Sequence, residues 1–543
     1  MACAYREKFG KDFLIDLIGY RRMGHNETDE PAFTQPRMYE TIRAHPRPRE
    51  VWATELVRQG VITAEAAEAM VERVRARLTE AKNAANLSES TRNPDAPAFE
   101  EAHSVQHGEV DAGRLRRLNA LLTNLPEGFA ADAKLQSTFL AARRDALDKP
   151  DAIIWGHAEA LAFASILEDG TPIRLTGQDS ERGTFGHRNL VLHDPQTGAT
   201  YCPLQAADPV LHAAFAVYNS PLSETAALGF EYGYSVHATD TLVLWEAQYG
   251  DFANGAQVII DQFITSGNTK WKQSPSVVLL LPHGYEGGGP EHSSARLERF
   301  LQLCSGDNVR VVNCTTAAQY FHLLRRQADQ LQAEPRPLVV MSPKSLLRHP
   351  RAASSLADLT DGTFQPVLDD PRETSRKATV TRLALCSGKI YIDLRYLGGA
   401  QKFAQRPEYE AATGLAIARL EELNPVPEDE IKALLASYPN LREVVWVQEE
   451  PKNQGAWMFL QPHLLELLPA GVGLRYIGRP ESASPSEGSG PMHDAEQARI
   501  VREALSGTAN ATSNGAYREN GSNGAGPKSA TAVPTGRIAG KSK

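Results

Sequence analysis

The chain has 543 residues, a net charge of −9, 42% hydrophobic and 23% charged residues, the profile of a soluble globular protein of several domains. Its acidic balance and the lack of any basic stripe exclude nucleic acid as a main partner. No apolar run approaches the roughly 20 residues of a membrane span, the N-terminal MACAYREKFGKDF has no signal-peptide core, and Cys3, Cys202, Cys304, Cys314 and Cys386 lack CxxC spacing, so a cytoplasmic location is expected and a membrane is not.

The first element comes almost at once. FLIDLIGY, residues 13–20, is a nearly continuous apolar run, the pattern of a strand buried on both faces of a parallel sheet. So little chain precedes it that its neighbours are missing, and the expectation is a chain that starts inside a domain. YRRMGHNETDEPAFTQPRMYETI follows, polar and punctuated by proline. A helix is then predicted with Thr63 as N-cap, Glu65 in its first turn, and Val71, Val74 and Leu78 on one face. Residues 85–110 turn polar and read as a linker.

From Ile153 the pattern alternates. Strands are predicted at residues 171–175, 241–245, 277–281, 309–312 and 338–341. Helices are expected at 158–167, 224–234, 255–263, 294–304 and 317–327. This alternation indicates a doubly wound α/β layer. A second series begins near Ala378, with strands at 382–386, 415–420, 443–447 and 474–477, and gives a second α/β domain. From about Ser506 the chain is rich in Gly, Ser, Ala and Asn with few large apolar side chains. Such a tail buries too little surface to offset its ordering entropy and is expected to be disordered.

In an open α/β sheet, ligands sit beyond the carboxyl ends of the strands. Four predicted strand ends carry glycines together with titratable or aromatic groups. They are Arg21, Arg22, Gly24, His25, Asn26 and Glu27; Asp179, Arg182, Gly183 and His187; Glu246, Gln248, Asp251 and Phe252; and His283 and His292, which flank a glycine run. Any one loop histidine is more often merely solvated, but four agreeing ends point to a site. Glu224 opens a helix continued by Ala226, Ala227, Leu228, Gly229 and Phe230. It reads equally as an acid serving the helix dipole and as a carboxylate that shares a proton with a ring nitrogen.

Seven strings, YRRMGHNETDEPAFTQPRMYETI, GQDSERGTFGHRN, LSETAALGFEYGYS, WEAQYGDFANGAQVIIDQFI, LLLPHGYEGGGPEHSSARLERFLQL, SPKSLLRHP and VVWVQEEPKNQGAW, closely resemble the thiamine-diphosphate-dependent, decarboxylating component of 2-oxoglutarate dehydrogenase. The resemblance runs from about Asp12 to about Ala504. It implies an α/β thiamine-diphosphate-binding fold plus a transketolase C-terminal-like α/β domain. The boundaries that follow are the end of a diphosphate-binding domain at 1–60, a helical linker region at 61–150, a pyrimidine-binding domain at 151–345, a C-terminal domain at 346–505 and the tail at 506–543. It further implies a homodimer with sites at the dimer interface, and a partner in the lipoyl domain of the dihydrolipoyl succinyltransferase component.

By the same resemblance Glu224 is the carboxylate that activates the cofactor through its aminopyrimidine, Phe252 stacks on that ring and Gln248 lies near it. His292 is a substrate-side proton donor or carboxylate contact. His25 and His187 are candidates for steering the bound intermediate toward the lipoyl acceptor, and His283 reads as structural. The family holds the cofactor's diphosphate through magnesium, on a GDG motif and a later asparagine that belong before Asp12. Glu168-Asp169-Gly170 and Gly306-Asp307-Asn308 are turn-like and do not replace it. The expectation is therefore a fragment whose metal ligands are absent and whose N-terminal half is missing. The alternatives are a non-catalytic or split-enzyme interaction subunit, or a related enzyme: a 2-oxoadipate dehydrogenase or a 2-oxoglutarate decarboxylase.

Overall fold

The computed structural model describes residues 1–17, 19–26, 28–91, 110–205, 210–372, 374–398 and 404–506. The tail beyond Ser506, most of the linker at 85–110, and Glu27 lie outside the described residues. The chain divides into residues 1–100 and residues 101–543.

In the first unit, helices span Ala2–Phe9, Pro36–Ala44, Pro48–Arg58 and Ala64–Thr91, with a 3₁₀ turn at Pro31–Phe33. Three of these begin on a proline, whose missing N–H costs nothing at a helix start. Thr63 caps the last helix as expected, its hydroxyl accepting from the Ala66 N–H at 3.1 Å. Val74 and Leu78 on that helix are exposed rather than buried. The strand expected at residues 13–20 does not form. Its described residues are irregular, with Leu14 88% and Leu17 91% exposed. A strand needs a neighbour for its backbone groups, and among the described residues of this unit there is none. Tyr39 and Ile42 are the only described apolar side chains buried here.

The second unit holds the chemistry-bearing segments. Its strands are β1 (Ile173–Gly177), β2 (Leu192–His193), β3 (Thr200–Tyr201), β4 (Phe215–Asn219), β5 (Leu242–Glu246), β6 (Val278–Pro282), β7 (Arg310–Val312) and β8 (Leu338–Ser342). Then come β9 (Val367–Leu368), β10 (Arg382–Cys386), β11 (Leu415–Leu420), β12 (Glu422–Asn424), β13 (Glu443–Pro451) and β14 (Gly473–Arg479). Seven strands form one sheet in the order β12-β7-β8-β6-β5-β1-β4, parallel throughout except where β12 meets β7. A second sheet runs β14-β13-β10-β11-β9, with only β9 antiparallel. β2 and β3 form a small hairpin.

Sequence pattern explains the layering. β5 (LVLWE) and β6 (VLLLP) are buried at every position, as central parallel strands covered by helices on both faces must be. The helix Trp155–Glu168 is buried from Trp155 through Leu167, which fits its apolar residues all round. Nearly every predicted strand is present within two residues of its expected bounds. β4 and the short β2, β3, β9 and β12 fall outside the predicted strands.

β12 is drawn from the stretch that follows β11, yet it completes the large sheet, so the two sheets share structure. One apolar core joins Trp245, Leu279 and Val339 to Leu383, Ala418 and Trp446. The expected helix at 255–263 is instead a 3₁₀ segment (Gly250–Ala256), one α turn (Gln257–Ile259) and a π segment (Ile260–Ile264). Gly250 is the physical reason for its start: a Cβ there would meet the Ala295 Cβ at 2.5 Å and the Pro282 carbonyl oxygen at 2.7 Å, so only glycine lets the two loops approach.

Candidate active site

Parallel pairing brings the carboxyl ends of β4, β1, β5, β6 and β8 to one edge of the large sheet, and the loops beyond them carry most of the residues singled out from the sequence. Glu224 is the first residue of the helix Glu224–His237, after Ser223 as N-cap. It is half-buried, and its Oε1 accepts from Gln178 Nε2 at 3.1 Å. Its Oε2 faces Gly255, where a Cβ would lie 3.4 Å away, and the adjacent Thr225 hydroxyl donates to the Gly255 carbonyl. Gly255 belongs to the same 3₁₀ segment as Phe252, so Glu224 and Phe252 are presented by two elements in contact.

From Phe252 a wall of rings runs along the strand ends. The Phe252 and His292 centroids are 5.8 Å apart, and His292 meets Tyr249 edge-on at 4.4 Å and 85°. Tyr249 meets Phe185 edge-on at 5.6 Å, and Phe185 lies 6.5 Å from His187. Such edge-to-face contacts are the preferred geometry of aromatic quadrupoles. Gln248, half-buried, precedes Tyr249 on the same loop. A cleft of about 460 Å³ opens beside this wall, lined by Tyr249, His292, Glu286, Lys344 and Arg348 among others.

His187 is set back from the cleft. It is 5% exposed, with Nε2 3.7 Å from Glu246 Oε1 and with no partner for its buried Nδ1 among the described residues. Burial, then the neighbouring Arg188 cation, pushes its pKa down from 6.5 to about 3, so the ring is neutral at physiological pH. Arg188 is fully buried and forks onto both Glu159 (2.6 Å) and Glu246 (2.7 Å), while the Tyr320 hydroxyl donates to Glu159 at 2.8 Å. Burial works against both carboxylates. Arg188 overcomes it at Glu159, whose pKa is lowered, but not at Glu246, whose pKa is raised.

His283 is also buried. Its Nε2 bonds Glu450 Oε1 at 2.9 Å, and its Nδ1 accepts from the Ala295 N–H at 3.1 Å. Burial disfavours its charge, but the Glu450 carboxylate outweighs that and raises its pKa. Accepting from Ala295 requires a bare Nδ1, so the bonded neutral ring carries its proton on Nε2. His25 lies in the first unit, exposed, with its backbone N–H donating to Asp29 Oδ2 at 2.7 Å.

The structure thus brings Glu224, Gln248, Phe252 and His292 to one sheet edge, sets His187 behind it, and describes His25 in a separate unit. Sequence reading missed Gln178, Phe185, Tyr249, Lys344 and Arg348 as individuals, although all stand inside quoted strings. Arg348 donates to the Phe185 and Gly186 carbonyls at 2.6 and 2.7 Å, over more than 160 residues of chain. Among the described residues, no group of three His, Cys, Asp or Glu side chains is arranged to hold a metal ion. A larger cleft of about 720 Å³, lined by Asp393, His493 and Gln497 among others, lies at the second sheet and contains none of the predicted residues. No described helix is long and apolar enough to cross a membrane.

Three family models match consecutive stretches: the dehydrogenase E1 component at residues 1–94, the transketolase pyrimidine-binding domain at 151–350 and the 2-oxoglutarate dehydrogenase C-terminal region at 353–505. Among curated proteins, the 2-oxoglutarate dehydrogenase E1 component of Geobacillus sp. (strain WCH70) is 51% identical over 510 residues, covering 93% of this chain and 52% of that relative. The protein of the same name from Bacillus subtilis (strain 168) is 50% identical over 511 residues, covering 93% and 53%. The chain spans about half the length of the curated relatives it matches.

Proposed function

The chain belongs to the 2-oxoglutarate dehydrogenase E1 family, and from that premise we propose that its sheet edge is the pyrimidine side of a thiamine-diphosphate site. The reaction proposed is decarboxylation of 2-oxoglutarate with transfer of the succinyl group to a lipoylated carrier. The observation that supports this most is Glu224, a half-buried carboxylate held by Gln178 against the turn that presents Phe252.

These residues suit an aminopyrimidine, which needs a carboxylate at a ring nitrogen and an aromatic face. When bound, thiamine diphosphate supplies a nucleophilic carbon for the 2-oxo group and a sink for the electrons left by carbon dioxide. Glu224 would hold the proton shared with the pyrimidine nitrogen, Phe252 would stack on the ring, and Gln248 would line its edge. His292, at the cleft mouth, would donate to the substrate. His187 and His25 are proposed for the acyl-transfer side. His187, neutral and with no partner for its buried Nδ1 among the described residues, would act there as a hydrogen-bonding group rather than as an acid. Magnesium is proposed for the diphosphate, and its ligands are not assigned to residues of this chain.

The same reading divides the chain into the end of a diphosphate-binding domain (1–60), a helical linker region (61–150), the pyrimidine-binding domain (151–345) and the C-terminal domain (346–505). It places the protein in the cytoplasm, in keeping with five free cysteines. Its proposed partners are a lipoyl domain of the succinyltransferase component and a second copy of the chain. Supporting the second copy, Leu222, Phe230 and Val258 are each more than half exposed on the elements that hold Glu224 and its neighbours, an apolar face that association would cover.

The test is carbon dioxide release from 2-oxoglutarate by the chain, alone and mixed with the N-terminal half of the Bacillus subtilis relative. Release in either setting that is lost in Glu224→Gln supports the reading. No release in both would leave the chain as a non-catalytic interaction subunit.

A further inference from the structure

Five backbone groups between His292 and Ala295 are held by three distant segments of the chain. The His292 carbonyl accepts from Lys344 Nζ. The Ser293 and Ser294 N–H groups donate to Asp251 Oδ1 at 3.3 and 3.0 Å. The Ser293 carbonyl accepts from the Gly284 N–H at 3.0 Å, and the Ala295 N–H donates to His283 Nδ1 at 3.1 Å.

Two of these contacts act on a single peptide unit. The peptide joining His292 to Ser293 has its oxygen on an ammonium and its N–H on a carboxylate. The peptide dipole is negative at oxygen and positive at N–H, so both charges stabilise the same orientation, and charge-assisted bonds are roughly twice as strong as neutral ones. Asp251 Oδ1 is shared with the Ser294 N–H one residue on, which it also anchors. Among the described residues no carboxylate forms an ion pair with Lys344. Asp251 is 6% exposed, and its Oδ2 has no partner there. Burial lowers the Lys344 pKa and raises that of Asp251, as partly desolvated ions require.

The segment before His292 holds it at one point, the Gly289 carbonyl, which accepts from the His292 N–H and the Ser293 hydroxyl at 3.0 Å each. Gly287, Gly288 and Gly289 lead into a single 3₁₀ turn at Pro290–His292, and glycines leave the backbone free to swing. We propose that Lys344 and Asp251 are positioning residues for His292: gripping opposite ends of the His292–Ser293 peptide, they hold the imidazole edge-on to Tyr249 at the mouth of the cleft. The inference rests on the proposed function only in giving His292 a role; the grip itself is a matter of geometry. Neither side chain touches the reacting atoms in this account.

The experiment uses the full chain with [¹³Cε1]histidine, and the His292 resonance is assigned by its loss in His292→Gln. The ring lies 4.4 Å from Tyr249, so its C–H carries a ring-current shift that reports its placement. Lys344→Met and Asp251→Ala are each expected to move that resonance toward the position of exposed His25, while the signal of buried His157, bonded to Asn119 at 2.8 Å, persists and reports an intact fold. Lys344→Arg is expected to restore it.

An unmoved His292 resonance in folded Lys344→Met and Asp251→Ala overturns the proposal. If either variant fails to fold, Lys344→Gln and Asp251→Asn carry the test, with partial displacement expected and none overturning it. No cofactor or turnover is needed. A displaced ring in a chain that never decarboxylates 2-oxoglutarate therefore refutes the reaction and not the grip.

Discussion

Arg188 holds two buried carboxylates at once. It is fully buried between Glu159 and Glu246, and a buried guanidinium of this kind neutralises carboxylates that cannot reach water. Arg188→Met removes the cation and leaves two buried acids, so urea unfolding at pH 7 should show a loss of about 3–5 kcal/mol; a loss under about 1 kcal/mol would mean that the acids are neutral in the fold. The adjacent His187 makes a second prediction. Its native pKa of about 3 lies below the ordinary 6.5, so between these values the unfolded chain binds a proton that the native ring refuses. Stability therefore falls as pH falls through that window, by up to about 1.4 kcal/mol per pH unit from this group. The drop between pH 7 and 5 should be smaller in His187→Gln than in the native chain, and parallel drops would contradict the assignment.

At the scale of elements, the site depends on loops packed more closely than side chains normally allow. The approach of Gly250 to Ala295 and Pro282 makes Gly250→Ala a direct probe, because the new methyl meets backbone and a fixed side chain rather than a flexible end. It should destabilise the chain by about 1–3 kcal/mol and change the near-ultraviolet signal of the Tyr249 and Phe252 cluster. An unchanged aromatic spectrum would show that the two loops are not coupled.

The same elements show what sequence reading reaches. β5 and β6 were legible because unbroken apolar runs leave no alternative to a buried strand. β4 was not: in FAVYN, Tyr218 and Asn219 are exposed at the sheet's edge, so its pattern is weak. Residues 13–20 have a buried strand's composition, but among the described residues of the first unit no strand pairs with them, and composition alone does not supply a neighbour. The grip of Lys344 on His292 spans 52 residues of sequence; no local spacing encodes it, although both stand in motifs that the resemblance marked.

At the scale of the molecule, the two sheets of residues 110–506 are one structure. β12 completes the large sheet, Glu421 accepts from the Thr315 N–H at 2.8 Å, Arg326 pairs with Glu422 at 2.6 Å, and His283 bonds Glu450. The two sheets should unfold in a single calorimetric transition. Glu450→Ala strips the buried His283 Nε2–H of its acceptor, at a cost of about 1–3 kcal/mol, and should lower that transition without splitting it. A split into two transitions would show that the sheets are independent.

The central claim, that Glu224 and Phe252 form the pyrimidine side of a cofactor site, meets its most direct test in calorimetric titration of the chain with thiamine diphosphate and magnesium. Saturable binding is predicted, weakened roughly 10- to 100-fold in Glu224→Gln, as loss of a charged hydrogen bond worth about 1.5–3 kcal/mol requires, and weakened also in Phe252→Ala. Absence of binding, or equal affinity in all three chains, would contradict the account.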